Sequence, residues 1–133
     1  KDLTDICFES KNTNNIDDLD SMNPYEFENY IKEIFKNKGY SSTLTDKVPS
    51  EYGADVIAIK DMEIIAIQCK HSSNQNSFGR EAMYQLHSEA KIYYKATRLI
   101  AITNSMFNLN AMNLAKVHGI EVIDRNNFQK LLQ

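Results

Sequence analysis

The chain has 133 residues, of which 42% are hydrophobic and 25% are charged, enough for one domain with a core but short for two. Its net charge of −3 is concentrated over residues 1–22, which carry six acidic and two basic side chains, so charge neither favours nor excludes a nucleic-acid partner. No apolar run is long enough to span a bilayer, and two cysteines make no disulfide framework, so we expect no membrane association and a reducing cytoplasm. The Asn- and Asp-rich residues 1–22 are predicted to be an acidic linker or tail, followed by one domain over residues 23–133.

The first strong element of the domain is a helix predicted over residues 24–38. Asn23 suits its N-cap, Pro24 suits its first position, and Glu26 can complete a capping box. Gly39 supplies the stop. The apolar positions fall on one helical face and are Phe27, Ile31, Ile34 and Phe35.

The rest of the domain alternates between strand and helix patterns. Residues 40–47 predict a strand, and a hairpin follows with strands over 54–60 and 63–71 that meet at Asp61-Met62. The remaining predicted elements are a helix over 80–95, a strand over 98–103, a helix over 110–118, a strand over 120–123 and a helix over 126–132. The order α-β-β-β-α-β-α-β-α, with nearly continuous Ile, Val and Ala in the hairpin, predicts an α/β fold in which helices flank a mixed central sheet.

The hairpin carries the residues that point to chemistry. Folding it brings Asp55, at the start of one strand, close to Gln68 and Lys70 at the end of the other, and those two share a face while Cys69 points away. Carboxylate and amide oxygens suit Mg²⁺, with Mn²⁺ as a substitute, and the Cys69 backbone carbonyl is a further candidate ligand. Lys70 would lie near the attacking water. A surface ion pair is the alternative, but the apolar run before Lys70 predicts a central strand, where an unpaired ammonium is costly.

The domain contains the strings NPYEFENYIKEIFKNKGY, YGADVIAIKDMEIIAIQCKH and LIAITNSMF, and ends in GIEVIDRNNFQKLL followed by one residue. These strings resemble the Mrr-like restriction endonuclease family of the PD-(D/E)XK nuclease superfamily, from about Asn23 to the C-terminus. The most specific part is the Gly-x-Asp and Gln-x-Lys pattern of the hairpin. The resemblance implies a restriction-endonuclease-like fold, with Asp55 as the metal-binding acid, Gln68 as the second metal position and Lys70 as the catalytic lysine.

The same resemblance implies a glutamate from the first helix as a further catalytic metal ligand, and Glu28 is the matching residue. From spacing alone Glu33 and Glu26 compete with it, although capping explains Glu26 more simply. Relatives often show Asp-Gly-Gly-x-Asp before the catalytic strand, whereas this chain has Glu51-Tyr52-Gly53-Ala54-Asp55. Glu51 keeps a carboxylate at the matching place, and Tyr52 replaces a glycine.

Weaker candidates for substrate contacts lie around this site. His71 follows Lys70 directly, and Gln85 lies on the second helix, from which it could reach the site; an exposed strand end and a solvated helix face are the respective alternatives. The other candidate phosphate contacts are Lys47, Arg80 and the Thr103-Asn104 turn. Residues predicted to be structural are His87 and His118, which lack metal-ligand spacing, and Tyr93 and Tyr94, which are expected in the core.

Together these features predict a Mg²⁺-dependent DNA endonuclease domain in restriction or anti-phage defence that hydrolyses phosphodiester bonds. Because little in the chain resembles a base-reading element, we expect a companion specificity domain, or a homodimer, to select the DNA. Two alternatives stay open. One is a Holliday-junction-resolvase-like nuclease, which would need a dimer and a basic face, and the other is a non-catalytic DNA-binding or interaction module on the same fold.

Overall fold

A five-stranded sheet forms the centre of the computed structural model, which describes residues 16–45 and 52–133. The strands, in spatial as well as chain order, are β1 (Ser41–Leu44), β2 (Val56–Lys60), β3 (Glu63–Lys70), β4 (Arg98–Thr103) and β5 (Glu121–Ile123). The first three pair antiparallel, and the last three pair parallel. The predicted α/β fold with a mixed central sheet is therefore confirmed.

Short helices cover both faces of this sheet. They are α1 (Asp17–Asp20), α2 (Pro24–Asn37), α3 (Glu81–Gln85), α4 (Lys91–Tyr93), α5 (Leu109–Val117) and α6 (Gln129–Leu132), with a π-helical turn (Leu86–Ala90) joining α3 to α4. The capping box of α2 is confirmed: Asn23 Oδ1 accepts from the Glu26 N–H at 2.7 Å, and Glu26 Oε1 accepts from the Asn23 N–H at 2.9 Å. The elements follow the predicted order, apart from α1 and the interruption of the second predicted helix.

The core consists of two layers, one on each face of the sheet. On one face α2 and α6 pack on the strands, and the largest fully buried side chains there include Phe27, Ile31, Ile67, Ile102 and Phe128. On the other face lie α3, the π-turn and α5, which contribute Met83, Leu86, Ala111 and Ala115. The middle of β3 is therefore covered on both sides, and Lys70, its last residue, is only partly buried.

The last part of the acidic segment packs onto this domain. Leu19 and Met22 are 3% and 4% exposed and belong to the core beside α2. Arg125, from the end of the chain, forms ion pairs of 2.7 Å with Asp17 and 2.9 Å with Asp20. Burial acts to raise the pKa of Asp20, but its hydrogen bonds from Arg125 and Asn104 and the Arg125 charge hold that pKa below its usual value. Residues 1–15 lie outside the described part of the chain, so the prediction of a linker or tail over these residues stays a prediction.

Candidate active site

Asp55 lies directly before β2, opposite the end of β3. Its backbone N–H donates to the Ile67 carbonyl at 2.8 Å, and its Oδ2 accepts a hydrogen bond from the Cys69 N–H at 2.8 Å. The residue is only 7% exposed. Strand pairing therefore places this carboxylate at the end of the central strand and fixes its orientation there.

Gln68 and Lys70 lie on one face of β3, while Cys69 packs on the other among the core residues beneath α2. Gln68 is 5% exposed, and its Nε2 donates to the Gly53 carbonyl at 3.1 Å. Because that bond uses the amide nitrogen, the amide oxygen is the part of Gln68 that is suited to accept a cation.

Lys70 is held at the surface end of the site by an ion pair. Its Nζ lies 2.9 Å from Oε1 of Glu81, the first residue of α3. The hydrogen bond and the positive charge of Lys70 lower the pKa of Glu81, outweighing a small opposing effect of burial. Because the Glu81 side chain is 75% exposed, this pair is weak enough to exchange for another anion.

Of the three glutamates considered for the first helix, the structure brings Glu28 to this place. It lines the same cavity as Asp55, Gln68 and Lys70. Glu26 instead completes the capping box, and Glu33 forms a 3.3 Å ion pair with Lys32. Burial, followed by the negative charges of Asp55 and Glu28, raises the pKa of the Cys69 thiol well above its usual value, against the opposite effect of Lys70. The charges of Asp55 and Glu28 thus both affect the Cys69 thiol, near the end of β3.

The cavity that these residues line has a volume of about 300 Å³. Its wall also includes Gln85, a candidate substrate contact whose role stays a prediction, together with Tyr52 and Glu89, for which no role was predicted. Gln85 and Glu89 are four apart, so their shared helical face was a signal that could have found Glu89. Oε1 of Gln85 is buried and has no hydrogen-bond partner among the described residues. Such an atom is costly unless a ligand or a rearrangement satisfies it.

The loop before Asp55 is packed tightly against the helical layer at the π-turn. Gly53 has a φ of +85°, and a Cβ there would lie 2.2 Å from the Gln85 backbone oxygen and 2.8 Å from the Glu89 Cβ. Only glycine fits both the left-handed conformation and this approach. The contact joins the two walls of the cavity, and π-turns frequently occur at such functional positions.

A family model described as a restriction endonuclease, Mrr_cat, matches residues 19–132. The chain belongs to this restriction endonuclease family. The resemblance expected from the sequence is thereby confirmed, and the family generally uses divalent metal ions. Among curated proteins, no relative matches the chain.

Three solved structures share the fold of this restriction endonuclease domain. AF1548, a protein of unknown function, has a TM-score of 0.69 and 20% identity, over 83% of this chain and 65% of its own. MspJI restriction endonuclease, solved in complex with a 27-mer oligonucleotide, has a TM-score of 0.55 and 13% identity, over 79% and 26%. VC1899 from Vibrio cholerae has a TM-score of 0.52 and 12% identity, over 80% and 31%. This chain therefore spans less than two-thirds of the length of each of these proteins.

The donors at the cavity of this nuclease-family domain fit a hard divalent cation. Two carboxylates and an amide oxygen are the ligand types that Mg²⁺ prefers, and Mg²⁺ keeps several waters besides. The hydrogen bonds of Asp55 and Gln68 hold their side chains in place, as hydrogen bonds to metal ligands do in other metal sites. Within residues 16–45 and 52–133 no group of three or more His, Cys, Asp or Glu side chains could hold a metal, so an oxygen from Gln68 or the backbone would be needed.

Three other predicted substrate contacts, His71, Arg80 and Asn104, are described by the structure and do not line this cavity. His71 Nε2 lies 2.7 Å from the Leu19 carbonyl, and its ring lies 5.3 Å from that of Phe27. Asn104 is fully buried; it accepts from the Ser72 N–H and donates to the Ser72 carbonyl and to Asp20. Arg80 is exposed, 5.4 Å above the Tyr84 ring. Lys47 and Glu51 lie outside the described residues, so the phosphate contact of Lys47 stays a prediction and Glu51 has no structural account.

The described part of this restriction endonuclease domain contains no helix long and apolar enough to cross a membrane. His87 and His118, predicted to be structural, stack on each other with ring centroids 3.7 Å apart. The prediction for the two neighbouring tyrosines is half wrong. Tyr94 packs against the core because it follows the buried Leu86 and Ala90 at a spacing of four residues, and Tyr93 lies off that face and is 54% exposed.

Proposed function

We propose that this chain is the nuclease domain of a DNA endonuclease that hydrolyses phosphodiester bonds with Mg²⁺ or, as a substitute, Mn²⁺. The observation that carries the proposal is the meeting of Glu28, Asp55, Gln68 and Lys70 around one cavity at the end of β3. The family match supports a nuclease, and oxygen donors beside a lysine are suited to a phosphate and a water nucleophile.

Glu28, Asp55 and Gln68 would hold the cation, with the Cys69 carbonyl as a further candidate. When bound, the cation would lower the pKa of a water molecule and neutralise negative charge at the scissile phosphate. The protein's part is orientation. The Cys69 N–H fixes one oxygen of Asp55, and the Gly53 carbonyl fixes the Gln68 amide. The 300 Å³ cavity leaves room for a phosphate group between these ligands and Lys70.

Lys70 is the group in position to stabilise the negative charge that develops during hydrolysis. Its present partner, Glu81, is mostly exposed, so an entering phosphate can replace that carboxylate at small cost. The ammonium would then lie beside the phosphate and the attacking water, where a cation contributes most.

We further propose that residues 23–133 form the catalytic domain and that residues 1–22 are a linker or tail, whose last part, residues 16–22, packs onto the domain. MspJI restriction endonuclease, which this chain covers over 26% of its length, is an example of a larger protein with this fold. A companion domain, or a second copy, would select the DNA, as expected for a role in restriction or anti-phage defence in the cytoplasm.

Plasmid cleavage with and without Mg²⁺ tests this proposal. The parent should cut only with the divalent cation, and Asp55→Ala, Lys70→Ala and Glu28→Ala should each lower the rate by a factor of roughly 100 or more. Glu33→Ala is the matched control on the same helix and should cut like the parent. If Asp55→Ala and Lys70→Ala cut as well as the parent, the proposed site is wrong. If the parent cuts neither plain, modified nor branched DNA, the nuclease assignment itself fails.

A further inference from the structure

Two tyrosine rings form an exposed aromatic surface beside the candidate active site. Tyr52 and Tyr93 stack with their centroids 3.7 Å apart and their planes 9° from parallel. Their residues are 40% and 54% exposed. Large aromatic side chains usually bury most of their area, so a stacked pair left open to solvent points to a ligand with a flat apolar face.

The backbone holds Tyr52 in this place in spite of its conformation. Its φ is +45°, a left-handed value that a bulky side chain rarely adopts. The adjoining Gly53 packs closely against the helical layer at the π-turn, so the ring is presented from a tightly packed position. Uncommon backbone conformations of this kind persist where the surroundings determine them, and they cluster at ligand sites.

The pair is continuous with the catalytic cavity. Tyr52 lines that cavity together with Lys70 and lies three residues before Asp55. A phosphate bound there would bring its own sugar and base to the cavity mouth, where the Tyr52 ring lies. In a regular duplex both faces of a base are covered by its neighbours, so only an unstacked base can use an aromatic side chain.

We propose that Tyr52 and Tyr93 form a stacking platform for an unpaired nucleobase next to the phosphate that is cut. This inference rests on the proposed nuclease function and narrows its substrate to DNA with a locally unpaired nucleotide, whether single-stranded, bulged or turned out of the helix. The platform accepts any base, because each base has a π-face and stacking carries little sequence information.

Binding without cleavage tests this platform. Two oligonucleotide duplexes containing 2-aminopurine are compared in Ca²⁺ or EDTA, one with the fluorescent base paired and one with it in a single-nucleotide bulge. The parent should bind the bulged DNA roughly ten times more tightly and quench its fluorescence, since one base stacked on an aromatic side chain gives a preference of about this size. Tyr52→Ala and Tyr93→Ala should remove both the preference and the quenching, and Tyr52→Phe should keep them.

Tyr25→Ala is the matched control, because Tyr25 is 53% exposed on α2 and lies outside the cavity lining. It should bind both DNAs like the parent, and thermal unfolding of every variant shows whether the loop stays folded. The platform is excluded if the parent binds the paired and the bulged DNA equally well. It is also excluded if the alanine variants weaken binding to both DNAs equally, because that result would mean that the tyrosines only stabilise the loop. This binding test needs no cleavage, so a preference for the bulged DNA would support the platform even if the nuclease proposal fails. If the parent cuts DNA but binds both duplexes equally, the platform is wrong and the nuclease proposal stands.

Discussion

The Cys69 backbone N–H donates a 2.8 Å hydrogen bond to Oδ2 of Asp55. This bond ties the carboxylate to the strand that carries Gln68 and Lys70, at a depth where Asp55 is only 7% exposed. If Asp55 is a metal ligand as proposed, it needs no reorientation when a cation arrives, as in a preorganised site. The hydrogen bond also gives Asp55 a structural role besides the proposed chemical one.

Replacing Asp55 separates these two roles. Asp55→Asn keeps an oxygen acceptor for the Cys69 N–H, so its free energy of unfolding should stay within about 1 kcal/mol of the parent's. Asp55→Ala leaves that buried donor unsatisfied and should cost about 1–3 kcal/mol. Both variants should lose divalent-cation binding, measured by calorimetry. Equal stability of the two variants in urea unfolding would show that the hydrogen bond contributes nothing.

Removing the charge of Glu81 tests the resting ion pair of Lys70. Because the Glu81 side chain is 75% exposed, Glu81→Gln should change the free energy of unfolding by no more than about 1 kcal/mol. Lys70 is then no longer held away from the phosphate, so the variant should cleave DNA at least as fast as the parent in steady-state assays. A rate ten times lower would mean that Glu81 positions Lys70 for catalysis, and the proposed exchange of partners would be wrong.

The sequence predicts those parts of the fold that local chemistry determines. The capping box at Asn23 and the tight turn at Asp61 follow from residues three or fewer positions apart, and both occur in the structure. The alternation of β3 also predicts that Gln68 and Lys70 share a face opposite Cys69. Since the hairpin register follows from its turn, the sequence brings Asp55 next to Gln68.

The features that could not be predicted from the sequence depend on contacts between distant segments. The π-turn packs against Gly53, more than thirty residues earlier in the chain, and no local sequence pattern predicts this contact. Tyr93 was expected in the core, but it lies on the surface, stacked on Tyr52 from the loop before Asp55. Leu19 packs in the core, and Arg125 pairs with the flanking acids of α1 from the other end of the domain. Contacts of this kind between distant segments could not be predicted from the composition of residues 16–22.

A comparison of two glycines tests how the loop before Asp55 is held. Gly53→Ala places a Cβ 2.2 Å from the Gln85 backbone oxygen, whereas Gly119→Ala, at a φ of +66°, meets no described atom within 4 Å. Both substitutions carry the left-handed cost of about 1–2 kcal/mol, and Gly53→Ala adds an overpacking cost of about 1–3 kcal/mol. Gly53→Ala should therefore be the less stable in urea unfolding and should also lose cleavage activity, because its loop carries Asp55. Equal losses in the two variants would contradict the close packing of this loop.

The stacked pair of His87 and His118 predicts a pH dependence of stability that is separate from the active site. The rings lie 3.7 Å apart and 7° from parallel, and the buried Nε2 of His87 has no hydrogen-bond partner within the described residues. Desolvation, followed by the charges of His118 and Lys91, lowers the pKa of His87 below its usual value. The folded protein therefore binds fewer protons at this ring than the unfolded chain does.

That sign fixes the direction of the effect. The contribution of a neutral His87 to stability is fully present above the unfolded pKa of about 6.5, and it is lost as the pH falls through and below that value. The free energy of unfolding should decline between pH 7.5 and 5.5, a window chosen to lie above the titration of ordinary carboxylates. The His87→Gln variant should lose most of this pH dependence of the free energy of unfolding. The His118→Gln variant should show a smaller decline than the parent, because it lacks one of the charges that lower the pKa of His87. Urea unfolding at a series of pH values measures all three proteins, and identical slopes for the parent and His87→Gln would show that protons bind elsewhere.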